Sequence, residues 1–226
     1  MHIGLIGGIG PAATAVYYER LVETFVAADM PLHLTIGHTS VRELARNSSG
    51  GFAEKQAIEY KRIAEQLAAA GADVIAITSM GGHFCVEEFE PISPLPLIHG
   101  PEAVTAYLER QHRQSCVGIL GTATVMRTRL YGALNELNVV APEGAAFDQV
   151  HEDYIAIATA GVSNDAQRER LLAAGADLVA GQGAEVVLLG GTDLSLAYRG
   201  ATLAFPVFDS AIIHADAIAQ HAMEAN

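Results

Sequence analysis

Apolar and polar positions follow two periods along this chain. Short apolar runs end in glycines or hydroxyl residues, and between them apolar residues recur every three or four positions. The short runs predict buried parallel strands at residues 3–6, 34–36, 74–77, 97–99, 117–120, 186–189 and 206–208. The longer spacing predicts helices. The first starts at Pro11, a residue suited to a first helical turn, and carries Ala15, Leu21, Val22, Phe25 and Val26 through about Ala28. A second, 54–70, sets Ile58, Ile63 and Leu67 on one face and ends at Gly71. Others are expected at 86–90, around Leu130, Leu134 and Leu137, and at 148–160, 165–180 and 210–223. The second strand ends at Gly37-His38-Thr39-Ser40, and the polar, glycine-containing stretch that follows to Gly51 reads as a segment that closes over a site.

Two strand segments resemble each other: GADVIAITSMGG at 71–82 and GAEVVLLGGTD at 183–193. Each leads out of a helix and stops in small residues. In open α/β sheets the ligand sits beyond the carboxyl ends of the strands, so a repeat about half a chain apart predicts two α/β lobes with one cleft between them. Each lobe is expected to hold a mainly parallel sheet flanked by helices. The first takes residues 1–99 plus 208–226, and the second 100–207.

Charge narrows the partners. Thirteen basic against 26 acidic residues give a formal net charge of −13, which repels phosphate backbones and anionic lipid surfaces. No nucleic acid and no membrane are expected, and an anionic ligand would depend on local positive groups or backbone amides. Cys85 and Cys116 form neither a metal spacing nor a disulfide framework, which fits a reducing, cytoplasmic setting. The opening MHIGLIGGIGP breaks into glycines too early for a signal peptide and reads as a strand.

Candidate chemistry gathers at the strand ends. Gly8, Ile9 and Gly10 precede a helix, where backbone amides bind a carboxylate or phosphate, or where glycines merely make a tight turn. The same residues overlap a dinucleotide fingerprint, yet Gly37-His38-Thr39 stands where a ribose-binding acid belongs. Thr122 and Thr124 occupy the equivalent turn of the second lobe, as ligand hydroxyls or as ordinary caps. Thr78, Ser79 and His83 follow one repeat strand and Gly191, Thr192 and Asp193 the other; His83 alone among them ordinarily titrates near neutrality. His38, His99, Asp209 and His214 also lie near strand ends, without a close ligand pair that would mark a metal site. Arg42 and Arg46 are candidate cationic anchors in the closing segment.

These segments taken together resemble a family. IGLIGGIGPAAT (3–14), GADVIAITSMGGH (71–83), GILGTATV (118–125), GAEVVLLGGTDL (183–194) and FPVFDSAIIHA (205–215) run in the order found in the cofactor-independent aspartate/glutamate racemase superfamily. The resemblance covers almost the whole chain. It implies two pseudo-symmetric lobes, a small amino acid or related carboxylate between them, a homodimer, and no cofactor. It also implies a two-base mechanism in which cysteines work on opposite faces of one carbon.

Both cysteine positions depart from that pattern. Ser79 or Thr78 holds the first, some members carrying threonine there, and Gly191 holds the second. Thr159 stands near the place of a lysine found in some relatives, and the lid arginine matches Arg42 or Arg46. The implied activity is a racemase-like isomerase with altered catalytic residues. A decarboxylase or lyase using a cleft left open beside Gly191, and a silent carboxylate-binding protein, are the alternatives.

Overall fold

The computed structural model describes residues 1–112 and 115–225. Its first sheet contains β1 (His2–Gly7), β2 (His33–His38), β3 (Val74–Ile77) and β4 (Leu97–Ile98) in the order β2-β1-β3-β4. The second contains β5 (Val117–Leu120), β6 (Val139–Val140), β7 (Val186–Leu189) and β8 (Val207–Asp209) in the order β6-β5-β7-β8. Every pairing is parallel, with Ile3 opposite Val74 and Val117 opposite Val186 in the two central pairs. The orders are the same. In each sheet the connections reverse direction between the two central strands, which places the switch points at the carboxyl ends of β1/β3 and β5/β7.

Ten helices connect the strands among the described residues: α1 (Pro11–Ala27), α2 (Val41–Ser49), α3 (Ala53–Ala69), α4 (Val86–Phe89), α5 (Gly100–His112), α6 (Ala123–Arg127), α7 (Gly144–Ala160), α8 (Asp165–Gln182), α9 (Ser195–Tyr198) and α10 (Ser210–Glu224). The strand period of two sorts the first sheet's side chains onto two faces. Ile3, Leu5 and Ala76 pack against Tyr17, Leu21 and Phe25 of α1 and Ala215 and Ile218 of α10. Ile6, Ile75 and Ile77 pack against Tyr60, Ile63 and Leu67 of α3. The chain crosses to the second sheet at α5, whose Val104 and Leu108 join that lobe's core, and returns after β8 through α10. Among the described residues no helix is long and apolar enough to cross a membrane.

Three local expectations are corrected. Ile58 is 65% exposed, and the buried face of α3 is set by Ala57, Tyr60, Ile63, Ala64 and Leu67. The region of Leu130, Leu134 and Leu137 is a string of turns after the short α6, although all three leucines are buried. Its backbone cannot stay helical, because Arg129, Leu130 and Tyr131 have φ of 50°, 57° and 59°. The polar segment before Gly51 is helical over α2, with Ser40 capping it by accepting from the Glu43 amide at 3.4 Å. The elements α5, α9 and the two-residue β6 were not anticipated.

Candidate functional site

A cleft of about 450 Å³ opens between the lobes at the two switch points. Ile9 follows β1, Ser79 and Gly81 follow β3, and Thr122, Ala123 and Thr124 follow β5, all lining the cleft. Helix α2 contributes Leu44, Ala45 and Arg46 from one side, and α7 contributes His151, Tyr154 and Ile155 from the other. Of the residues expected from sequence, the cleft therefore brings together Ile9, Arg46, Ser79, Thr122 and Thr124. Gly8, Gly10, Arg42, Thr78, His83, Gly191, Thr192 and Asp193 do not line it.

Each excluded residue has another place. Thr78 is fully buried; its hydroxyl donates to the Ile6 carbonyl at 3.1 Å and lies 2.9 Å from the Thr14 hydroxyl. Thr14 in turn accepts from the Gly8 amide at 3.0 Å, so these groups tie the ends of β1 and β3 together. Gly191 is roofed by the Tyr154 ring, and the space beside it is filled rather than open. Thr192 is fully buried, and its hydroxyl has no hydrogen-bond partner among the described residues. Arg42 points to solvent.

His83 is held by backbone at both ring nitrogens. Nδ1 donates to the Ser79 carbonyl at 2.9 Å, while Nε2 accepts from the Gly100 amide at 3.2 Å, which fixes a neutral ring. Burial pushes its pKa down to about 4, and His99 adds to the fall. His214 is built alike: Nδ1 accepts from the Tyr17 hydroxyl at 2.9 Å, and Nε2 donates to the Ile98 carbonyl at 3.0 Å. Burial, with His83 adding, lowers its pKa to about 3. Neither ring has a free nitrogen for proton transfer. Both depressed values make stability fall as pH drops below 6.5 toward 4, since the unfolded chain takes up the protons first. In NMR titrations of the folded protein, the ring signals of His83 and His214 should stay unshifted down to about pH 5, and a midpoint near 6.5 for either would refute the assignment.

Asp193 reaches from the second lobe to the amino end of α1. Its carboxylate lies against Gly10, where a Cβ would meet Oδ1 at 2.8 Å, and Gly10 adopts a φ of 103° that favours glycine. The anion site expected at Gly8–Gly10 is therefore occupied by the protein's own carboxylate. Asp193 Oδ2 accepts from the Tyr154 hydroxyl at 3.4 Å, and Oδ1 has no hydrogen-bond partner among the described residues. Burial pushes the Asp193 pKa up to about 6; the Ala13 amide and the Tyr154 hydroxyl oppose that rise, and Asp209 adds to it. Asp209 caps α10 by accepting from the Ala211 amide at 2.8 Å.

Polar contacts among the described residues join the lobes elsewhere as well. The Tyr131 hydroxyl donates to the Gly81 carbonyl at 3.1 Å, and Arg199 lies 3.6 Å from Glu19. No group of three histidine, cysteine, aspartate or glutamate side chains suited to a metal ion occurs among the described residues.

What remains facing the cleft is mild chemistry. Ser79 is 2% exposed and lines the cleft. Thr122 caps α6 by accepting from the Val125 amide at 3.1 Å, which leaves its hydrogen available. His151 accepts from the Ala123 amide at Nδ1, 3.2 Å away, so its neutral ring carries hydrogen on Nε2. Neither thiol is here: Cys85 is buried, its pKa pushed up to about 12 by burial with Glu88 adding, and Cys116 begins the run into β5. His151 and Tyr154 were not anticipated. Their spacing on α7 puts them on one helix face, but only the packing of that face on Gly191 and Ala123 ties them to the site.

The model of the Asp/Glu/Hydantoin racemase family matches residues 6–218. The chain belongs to this family. A candidate Asp/Glu racemase from Yersinia pestis superposes with a TM-score of 0.82 at 26% identity, covering 99% of this chain and 100% of that one. An aspartate racemase homologue from Pyrococcus horikoshii gives 0.78 at 26%, with 98% and 99% covered. A Francisella tularensis glutamate racemase, solved with D-glutamate, shares the fold at 14% identity and a TM-score of 0.63, covering 99% of this chain and 81% of its own. The family fold is two four-stranded parallel sheets flanked by helices, as found here. At the strand ends of this chain stand Ser79, which lines the cleft, and Gly191, which the Tyr154 ring covers.

Proposed function

We propose that the protein is a racemase-type isomerase that moves the α-proton of a small amino acid or related carboxylate without a cofactor, using groups other than thiols. The observation that carries this reading is the cleft at both switch points of a racemase-family fold, with polar groups from each lobe facing it. Ser79 approaches from the first lobe and Tyr154 from the second, and Thr122, Thr124 and the His151 Nε2 hydrogen hold the carboxylate. Arg46 stands at the rim. The same reading makes the protein a cytoplasmic homodimer, which sedimentation velocity tests.

Incubation with L- and D-amino acids in deuterated water, followed by NMR, checks the chemistry. Exchange of the α-proton is expected, falling about 10²-fold or more in Ser79→Ala and in Tyr154→Phe, in line with the usual contribution of one positioned acid/base group. Thr78→Val should leave the residual rate higher than Ser79→Ala does, because Thr78 does not line the cleft. A second reading, a catalytically silent carboxylate-binding protein, is favoured by the absence of both thiols from the cleft lining. Saturable binding with no exchange across the panel would select it.

A further inference from the structure

The cleft has walls of different character. Near the strand ends it presents Ser79, Thr122, Thr124 and His151, and farther along it presents Val41, Leu44 and Ala45 of α2 and Ile155 and Ala158 of α7, with Ser48 and Ser49 at the last turn of α2. His151 and Ala158 are seven residues apart on one helix, which separates them by roughly 10 Å along its axis. A carboxylate satisfied at the polar end thus leaves any substituent on the same molecule facing mainly aliphatic side chains. The one full cation in the lining, Arg46, is mostly solvated at 59% side-chain exposure and already faces Glu43 at 3.3 Å. Around it the protein carries a formal net charge of −13, which opposes a second negative charge on the ligand.

We infer that the cleft selects a monocarboxylate with an uncharged apolar substituent, such as a branched or aromatic α-amino acid, and discriminates against aspartate and glutamate. Ile155 and Leu44 act as specificity-determining residues for that substituent. A side-chain carboxylate placed between α2 and α7 would lose its water and find only the Ser48 hydroxyl, a Ser49 hydroxyl already donating to the Arg46 carbonyl and an Arg46 already paired with Glu43, whereas an aliphatic or aromatic group there is removed from water against carbon. The volume of about 450 Å³ lies within the range of small-molecule sites. This inference rests on the cleft being the ligand site of the proposed isomerase, but it needs binding only and not turnover.

Calorimetric titration of the full protein with leucine, phenylalanine, aspartate and glutamate, each as both enantiomers, tests it. Leucine or phenylalanine should bind at least about tenfold tighter than either dicarboxylate. Ile155→Ser should weaken phenylalanine severalfold. Ala45→Lys, which adds a positive charge at an exposed position of the same wall, should narrow or reverse the preference without unfolding the protein, as circular dichroism would verify. Aspartate or glutamate binding equally well or better, with loss in Arg46→Ala, overturns the inference, as does saturation by none of the eight ligands at 10 mM on the order of weak amino-acid binding. Apolar ligands that bind without α-proton exchange leave the specificity standing and defeat only the isomerase reading.

Discussion

Replacing Asp193 by asparagine is expected to make the protein more stable at pH 7 relative to wild type than it is at pH 4, by on the order of 3 kcal/mol. The Asp193 carboxyl is fully buried, and its pKa of about 6 lies above the ordinary 3.8. A carboxyl that holds its proton more tightly when folded supports the fold below pH 3.8 and loses that support as pH rises through 6. At neutrality the folded state must carry a buried negative charge for which the amino end of α1 and the Tyr154 hydroxyl compensate only in part. Asparagine keeps the shape and removes the titration. The opposing contributions of His83 and His214 are common to both proteins and drop out of the difference. Urea unfolding of both proteins at half-unit steps from pH 4 to 7 measures it, and parallel curves would defeat it.

Gly191→Ala is expected to cost about 1–3 kcal/mol, in the range of overpacked cores. The backbone is not the reason, since Gly191 has a φ of −111° that any residue adopts. The reason is the Tyr154 ring, whose Cδ2 and Cζ lie 2.7 Å and 3.1 Å from where a Cβ would stand. That ring cannot move cheaply, being 4% exposed and joined to Asp193 through its hydroxyl. In a Tyr154→Ala background the alanine at 191 should therefore cost close to nothing, giving an interaction energy as large as the single-site effect. The corollary is chemical. Gly191→Cys alone should leave a thiol that iodoacetamide labels slowly, while Gly191→Cys with Tyr154→Ala should expose it to the cleft. Rapid labelling of the single variant would show that the ring is not the barrier.

These two expectations also mark where sequence reasoning stopped. The strands β1, β3, β5 and β7 were legible because a central parallel strand is buried on both faces and must be apolar throughout. α1 was legible from Pro11 and its apolar spacing, and α8 was expected within two residues of its end, while the capping box of Asn164 and Gln167 at its start went unread. Periodicity misled at Ile58 because a helix tolerates an apolar residue outside its buried stripe. It misled around Leu130 because buried leucines three or four apart fit a chain of turns as well as a helix. α2 gave little apolar signal, as only Leu44 and Asn47 among its residues are buried.

The candidate site divides in the same way. Residues directly after strand ends could be named from order alone, and Ile9, Ser79, Thr122 and Thr124 do line the cleft. Whether a neighbour faces that cleft or the core depends on one step of strand alternation, which separates Ser79 from Thr78. His83 looked chemically poised, but both of its ring nitrogens are engaged, by the Ser79 carbonyl and by the Gly100 amide of a more distant segment.

By itself, the sequence determined two repeated α/β lobes and the line along which they meet, because hydrophobic period and glycine turns are local properties of the chain. Only the tertiary structure decided what stands at that line. Asp193 lies against the amino end of α1, Tyr154 covers Gly191, and His151 and Ile155 face the opening. Those are contacts between residues tens to hundreds of positions apart, set by packing, and no local pattern encodes them.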